Sequence, residues 1–437
     1  MNIINYATDK GADDIIVERI KSRTKQIRFA NNSITIFNDW ETKYYKIFLT
    51  SKRRTLNTVV FNSSEELLKK AIDNLIKNAK FLLPNENFYE IARGPFEYVE
   101  IPETYDKRIE NIDETDLINS TINTALENSK ITAGSFYTNI EERELKTNTD
   151  VSAREKSSSI QISIRAFNNE DESGHSVSCS RTLNKFNPME AGEKAGQISK
   201  MAKNPARGNS GKYDVLFDPM AIANLLGLVG SSSSIFYVES GLSFLKDKIE
   251  KKVADDIVNI IDGGRIENGF SSTTFDEEGV PTQTTEIIKD GILKTYLHNT
   301  STAKKYNTKT TGNAGIIVPH PINVVLKKGT ESKDEIIKEI KNGIYITNVW
   351  YTRFQNYMTG DFSTIPRDGI FEIKNGEISG SLKNIRITEN LQKILMNIKN
   401  ISNEPKWIQW WGMEGTGAPA LAPHVLVKDV NITLPTM

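Results

Sequence analysis

Residues 275–293 read FDEEGVPTQTTEIIKDGIL, and their punctuation decides how the second half of the chain folds. Thr285–Ile288 and Ile292–Tyr296 are strand-like runs on either side of Lys289-Asp290-Gly291. Asp-Gly favours the positive φ angles of a tight hairpin turn. Upstream, FDEEG is an acidic turn running into Val280-Pro281. The same pattern recurs downstream, where Phe371–Ile373 and Glu377-Ile378 flank Asn375-Gly376. Between the two hairpins, Glu331–Lys341 has helical spacing, Asn342-Gly343 ends it, and Ile344–Tyr351 returns as a strand. On the N-terminal side lie a strand, YDVLF from Tyr213, a helix from Ala221 and a second helix over Leu242–Val253. Residues 213–437 are therefore expected to form one large, mainly β C-terminal domain.

Outward toward the N-terminus, Ile3 to Gly11 reads as a short helix. Strands follow at Asp14–Ile20, Gln26–Phe37, Tyr44–Thr50 and Thr55–Phe61. Asn31-Asn32 and Asn38-Asp39 are expected to turn the chain, because Asn and Asp tolerate left-handed backbone. Lys52-Arg53-Arg54 reads as a solvated turn. Ser63 and Glu66 match a capping box, and Leu67, Leu68, Ala71, Ile72, Leu75, Ile76 and Ala79 trace one helical face. Residues 1–84 thus form a helix-plus-meander unit, and the proline-bearing stretch 85–110 reads as a linker. A second α+β unit, 111–205, holds a helix from near Asp113, strands at Thr132–Leu145, Ser158–Phe167 and His175–Thr182, and a helix at Met189–Met201. The fold class is α+β: N-terminal α/β layers of antiparallel strands plus helices, then the β-rich domain.

The chain has 437 residues, 55 basic and 56 acidic, for a net charge of −1. Domains of roughly 150 residues would make two or three of that length. A near-neutral balance argues against a nucleic-acid partner, which calls for a basic surface. One cysteine, Cys179, excludes a disulfide framework and fits a reducing, cytoplasmic compartment. The N-terminus meets Asp9, Lys10 and Asp13 too early for a signal peptide. Pro219–Val238 (PMAIANLLGLVGSSSSIFYV) holds twenty residues without a charge. Asn224 and four serines at 231–234 argue for a buried helix entering a turn rather than a membrane span.

Most catalytic motifs fail here. Gly208 to Lys212 lacks phosphate-loop spacing, Gly230 to Ser234 has no G-x-S-x-G elbow, and no histidine is followed by Glu. The four histidines are 175, 298, 320 and 424. His298 or His320 with Asp276, Glu277 and Glu278 offers imidazole plus carboxylate, a set suited to zinc or manganese. The simpler reading is an acidic turn and single histidines that are surface or packed residues. Trp407, Trp410 and Trp411 form an aromatic cluster expected to pack in a core or interface.

The blocks Phe275–Gln283, Asp290-Gly291-Ile292-Leu293, Thr311-Gly312-Asn313-Ala314-Gly315, Thr359-Gly360-Asp361-Phe362-Ser363, Glu372–Ile378 and Lys383–Leu395 resemble the TldD/PmbA family in order and spacing. Its catalytic members are metallopeptidases that hold zinc on an H-E-x-x-x-H helix with a cysteine near the C-terminus. The resemblance puts the two His positions at Leu226 and Ser231, the general-base Glu at Gly227, and the cysteine near Met413. No His, Glu or Cys occurs from Met220 to Val238. This departure resembles the PmbA (TldE) branch. It implies a subunit with no cofactor of its own, paired with a zinc-bearing TldD-like partner and enclosing flexible peptide bound by strand addition. Two other readings stay open. One is a homodimeric peptide-binding scaffold; the other is an autonomous hydrolase with its metal relocated to Asp276, Glu277, His298 and His320.

Overall fold

The computed structural model describes residues 3–62, 64–410 and 417–434. Its N-terminal half is built on six antiparallel strands: β1 (Asp14–Ala30), β2 (Ser33–Ser51), β3 (Arg54–Phe61), β4 (Ile131–Thr147), β5 (Ser152–Phe167) and β6 (Ser173–Ser180). They pair in the order β3-β2-β1-β4-β5-β6. The units expected at 1–84 and 111–205 therefore share one sheet, joined where β1 runs beside β4 from Ile16 opposite Thr147 to Ala30 opposite Ala133.

Asn38 and Asp39 do not turn the chain as expected. They lie inside β2, opposite Gln26 and Lys25. The Arg23 guanidinium donates to both Asp39 oxygens at 3.1 and 2.7 Å, and this cross-strand pair holds Asp39 in the ladder. The turns fall at Asn31-Asn32 and Lys52-Arg53, all four at positive φ.

Period-two alternation splits the sheet into an apolar and a polar side. Ile15, Ile47 and Leu49 pack with α1 (Ile3–Asp9) and α2 (Glu65–Ala79). The N-cap of α2 is Ser64, which accepts from the Leu67 amide, one position after the expected cap. Ser63 itself lies outside the described residues. Ile27, Phe29, Phe136, Ile160, Ile162 and Ile164 pack with α3 (Glu114–Leu126) and α4 (Pro188–Met201). Fully burying each such side chain contributes about 1.5–3 kcal/mol.

The C-terminal half begins with β7 (Ala206–Arg207), β8 (Gly211–Phe217), β9 (Ile260–Gly263), β10 (Thr284–Lys289), β11 (Ile292–Leu293), β12 (Val324–Leu326) and β13 (Asn342–Asn356). It continues through β14 (Asp361–Lys374), β15 (Glu377–Lys383), β16 (Arg386–Asn390), β17 (Ile398–Ile401), β18 (Lys406–Ile408), β19 (Ala420–Ala422) and β20 (Val425–Thr433). β13, β8, β20, β16 and β14 pair in that order, and β14 pairs back onto β13. That closure leaves no open edge within the ring. The second sheet runs β11-β10-β9-β12-β19-β18, with β12 and β19 parallel and β9 antiparallel to β12. Both expected hairpin turns form, with positive φ at Asp290, Gly291, Asn375 and Gly376.

The charge-free stretch forms α5 (Pro219–Ser232) and α6 (Ile235–Glu239). α5 packs on β12, β13 and β19, and its side chains join the main apolar core. Among the described residues, no helix is long and apolar enough to cross a membrane. Leu242–Val253 is not the helix its spacing suggests. Asp247 and Glu250 adopt positive φ, which breaks right-handed helix, while Phe244, Leu245 and Val253 are buried in turns.

Candidate functional site

The polar side of the N-terminal sheet faces the C-terminal half. Register places Tyr44 and Lys46 of β2 beside Ile20 and Glu18 of β1, and Ile20 beside Arg143 of β4. Arg143, Glu141 and Asn139 stand in turn opposite Glu155, Ser157 and Ser159 of β5. Over this floor hang three loops from one end of the second C-terminal sheet: residues 264–283 after β9, residues 306–323 before β12, and residues 417–419 before β19. Floor and loops enclose a cleft of about 460 Å³, lined also by Arg181, Phe275, Asp276, Glu277, Asn313 and His320. The 85–110 stretch packs against the 275–280 part of the first loop. Its Phe88, Ile91, Ala92 and Tyr98 pack with Phe275 and Val280, and Tyr98 donates to Gly279 O at 2.7 Å.

A web of ion pairs joins floor to loops. Arg143 donates to Glu18 Oε1 from Nε at 2.7 Å, with Nη2 at 2.6 Å, and to Glu155 Oε1 and Thr273 Oγ1 at 3.0 and 2.9 Å. Its guanidinium lies 4.8 Å over the Phe275 ring. Burial disfavours the Arg143 charge, but Glu18, Glu155 and Glu141 outweigh it and hold the pKa above its ordinary value. Lys46 reaches Glu277 Oε1 at 2.6 Å and Glu18 Oε2 at 3.5 Å. Among the described residues Glu141 makes no direct ion pair, and burial pushes its carboxyl up.

The residues of the expected metal alternative are placed as loop fasteners. Asp276, 4% exposed, accepts from the Glu278, Val280 and Ala314 amides at 2.9, 3.0 and 2.9 Å. Glu277 accepts from Lys46 and from the Ile316 amide at 2.7 Å. Glu278 is buried beside Asp276, and both desolvation and that neighbouring charge push its pKa up. His298 is buried, with Nδ1 3.2 Å from Thr302 Oγ1, and burial lowers its pKa to about 4. His320 lines the cleft with Nδ1 3.3 Å from Val318 O. Among the described residues, no three His, Cys, Asp or Glu side chains gather as a metal-binding group.

The positions matched to the zinc motif lie behind the cleft wall. Leu226 is 2% exposed within the main core, and Ser231 is half-buried, its hydroxyl donating to Gly227 O at 2.9 Å. Next to Ser231, a Cβ on Gly230 would come 2.6 Å from Val324 and 3.2 Å from Pro321, the latter a cleft residue. Met413 and Trp411 lie outside the described residues, while Gly417 and Ala418 just beyond them line the cleft. An alkyl group, a hydrogen, a hydroxyl and a thioether are no zinc donor set, so the chain does not fit the metal at these positions.

Sequence reasoning missed Glu18, Lys46, Arg143, Glu155 and Arg181. The available signal was β5 itself, where Glu155, Ser157, Ser159, Gln161, Ser163 and Arg165 alternate with Ile160, Ile162, Ile164 and Ala166. Further along that face, Arg165 and Ser173 donate to the buried Asp368 carboxylate, as does Trp350 Nε1 at 2.9 Å. His175 packs edge-on against Trp410 at 4.9 Å, and burial lowers its pKa to about 4. This second polar knot locks the two halves together beside the cleft.

Comparison with known proteins agrees with this geometry. The family model described as the PmbA/TldA metallopeptidase C-terminal domain matches residues 210–434. A metalloprotease of Methanothermobacter thermautotrophicus is 30% identical over 252 residues, 55% of this chain and 54% of its own length. Metalloprotease PmbA of Escherichia coli O157:H7 is 32% identical over 202 residues, 46% of this chain and 43% of that one. The chain spans about half the length of the curated relatives it matches. The crystal structure of TldE from Thermococcus kodakarensis, 22% identical, shares the fold with a TM-score of 0.88 over 99% of both chains. A family model that matches residues 210–434, more than half of the chain, places it in the PmbA/TldD metallopeptidase family.

Proposed function

We propose that this chain is a metal-less subunit of a TldD/TldE-type metallopeptidase assembly, working in the cytoplasm to enclose and position flexible peptide for a zinc-bearing, TldD-like partner. One observation carries the reading: no His, Glu or Cys occurs from Met220 to Val238, the stretch where the family resemblance would put two zinc-binding histidines and a general base at Leu226, Ser231 and Gly227. Catalytic zinc takes three protein ligands and an open position for water, and none of these side chains supports that. The chain's contribution is then shape and charge rather than bond cleavage. Its polar cleft wall and closed β-ring suit a rigid half of a chamber. Extended peptide held by backbone hydrogen bonds would be chosen with little regard to side chains.

The test is reconstitution with a TldD-like partner from the same cell. Cleavage of an unstructured peptide is measured with and without this chain, alongside the native mass of the mixture. The reading expects a mixed complex and cleavage that depends on it. Equal cleavage by the partner alone would sink it, and a homodimer indifferent to the partner would favour a scaffold instead.

A further inference from the structure

The helix α2 ends in an exposed apolar tip. Past it the Phe81 and Leu82 amides donate to Asn78 O and Ala79 O at 3.0 and 3.1 Å, so the chain turns once more before Pro84, which has no amide to continue. Phe81 is 81% exposed, Leu82 45% and Leu83 89%, and Pro84 is exposed beside them. Single exposed apolar side chains are ordinary, but a contiguous run with a polar rim marks a surface that something covers.

The rim is basic. The β2–β3 turn, Lys52-Arg53-Arg54, is tied to the tip. Arg54 Nε donates to Leu82 O at 2.8 Å, Arg53 Nη2 to Glu86 O at 3.2 Å, and the Asn85 amide to Arg53 O at 2.8 Å. Among the described residues both guanidiniums donate only to neutral carbonyls, so their charges stay uncompensated. Lys77, in the last turn of α2, and Lys80 at its C-cap precede Phe81 by four residues and by one, and both are exposed. The ion pairs nearby join Lys69 to Glu65, and Arg93 and Lys304 to Glu90. Among the described residues, the acids in contact with the rim are Glu86, through its carbonyl, and Asp13, whose carboxylate accepts the Lys52 amide. The tip is thus an apolar centre inside a basic excess. A protein interface suits that pattern poorly, because the cores of such interfaces are depleted in Lys and in charge. A bilayer with anionic headgroups suits it well: the apolar side chains enter the acyl boundary while the cations stay among the headgroups.

We propose that Phe81, Leu82 and Leu83, ringed by these five cations, dock this chain on a membrane surface rich in anionic lipid. It is a surface contact, not a span. Each cation near such a surface is worth about fivefold in affinity. Phe81 and Leu83 add the burial of two large side chains that water now covers. The contact needs neither a zinc-bearing partner nor the cleft, so it stands or falls apart from the subunit reading.

The experiment is flotation of the purified full chain with vesicles of phosphatidylcholine alone, or with about 30 mol% phosphatidylserine, at low salt and at about 0.5 M salt. Binding is expected on the anionic vesicles at low salt, and weaker by about tenfold or more on neutral vesicles or at high salt. Lys77→Gln with Lys80→Gln is expected to weaken it by about 25-fold. Phe81→Ser with Leu83→Ser, which keeps every charge, is expected to weaken it by about tenfold or more. All four side chains are exposed, so these variants should keep the urea midpoint of the parent chain. No binding to anionic vesicles, equal binding to neutral ones, or binding indifferent to Phe81→Ser with Leu83→Ser overturns the proposal. Self-association that the same pair abolishes, without vesicle binding, gives the tip to a second copy of the chain and overturns it too.

Discussion

Replacing Arg143 by Met tests whether the ionic web on the cleft floor holds the two halves together. In the folded chain Glu18 is 1% exposed, and its Oε1 receives both of its close contacts from Arg143. Its Oε2 has no hydrogen bond and only the Lys46 ammonium at 3.5 Å. Arg143→Met leaves a buried carboxylate with that single distant cation. Glu155 fares better, since it still accepts from the Thr274 amide at 2.8 Å and the Thr274 hydroxyl at 2.9 Å. Removing one partner of a buried ion pair costs about 3–5 kcal/mol. The surviving Lys46 contact places this case at the lower end, about 3 kcal/mol. Urea unfolding followed by tryptophan fluorescence and far-ultraviolet dichroism measures it. Adding Glu18→Gln removes the stranded charge and is expected to recover at least about 1 kcal/mol of the loss. A loss below about 1 kcal/mol, or the same loss in the double variant, would refute the reasoning.

Leu226→Ala is expected to cost about 2–5 kcal/mol in urea, because position 226 is core, whereas half-buried Ser231→Ala is expected to cost about 1 kcal/mol or less. Asp262 is fully buried, and burial raises its pKa to about 6 against the Asn313 side chain and the Ile322 and Asn323 amides. With the folded pKa above the unfolded one, its favourable contribution is full below the ordinary carboxylate range and is lost as pH rises through about 6. Relative to Asp262→Asn, the unaltered chain should therefore lose stability between pH 4 and 7 (about the window of that titration), read as urea midpoints. Asp218, at the N-cap of α5, behaves oppositely. Burial opposes its charge, but Lys194 at 2.8 Å and His424 at 3.4 Å outweigh that and hold its pKa well below the ordinary range. Its contribution is present above the unfolded carboxylate pKa and is lost as pH falls, so Asp218→Asn should flatten the acid limb of the same curve.

What the sequence made legible was local. Asp290-Gly291 and Asn375-Gly376 turn as their chemistry requires, because a two-residue preference for positive φ faces no tertiary competition at a hairpin tip. Asn38-Asp39 carries the same preference, yet β1 supplies Arg23 diagonally across from Asp39, and a cross-strand partner is invisible in a linear reading. Leu242–Val253 has helical spacing of apolar residues, but its core is reached through turns at Asp247 and Glu250. The site divides along the same line. Asp276, Glu277 and His320 were singled out as chemistry-bearing residues, and all three line the cleft. The Asp276 and Glu277 carboxylates are engaged by backbone amides and Lys46, which spacing could not foretell. Glu155, Ser157 and Ser159 look like the solvated side of a strand until topology lays the other half of the molecule over them.

The central claim is that a metallopeptidase frame has lost its metal in this chain. Equilibrium zinc binding by the purified full chain, in competition with a chromogenic chelator and followed by elemental analysis, tests it most directly. The account predicts that no stoichiometric zinc is retained, and that none appears when the chain is refolded with the metal present. One tightly held equivalent of zinc per chain would contradict it.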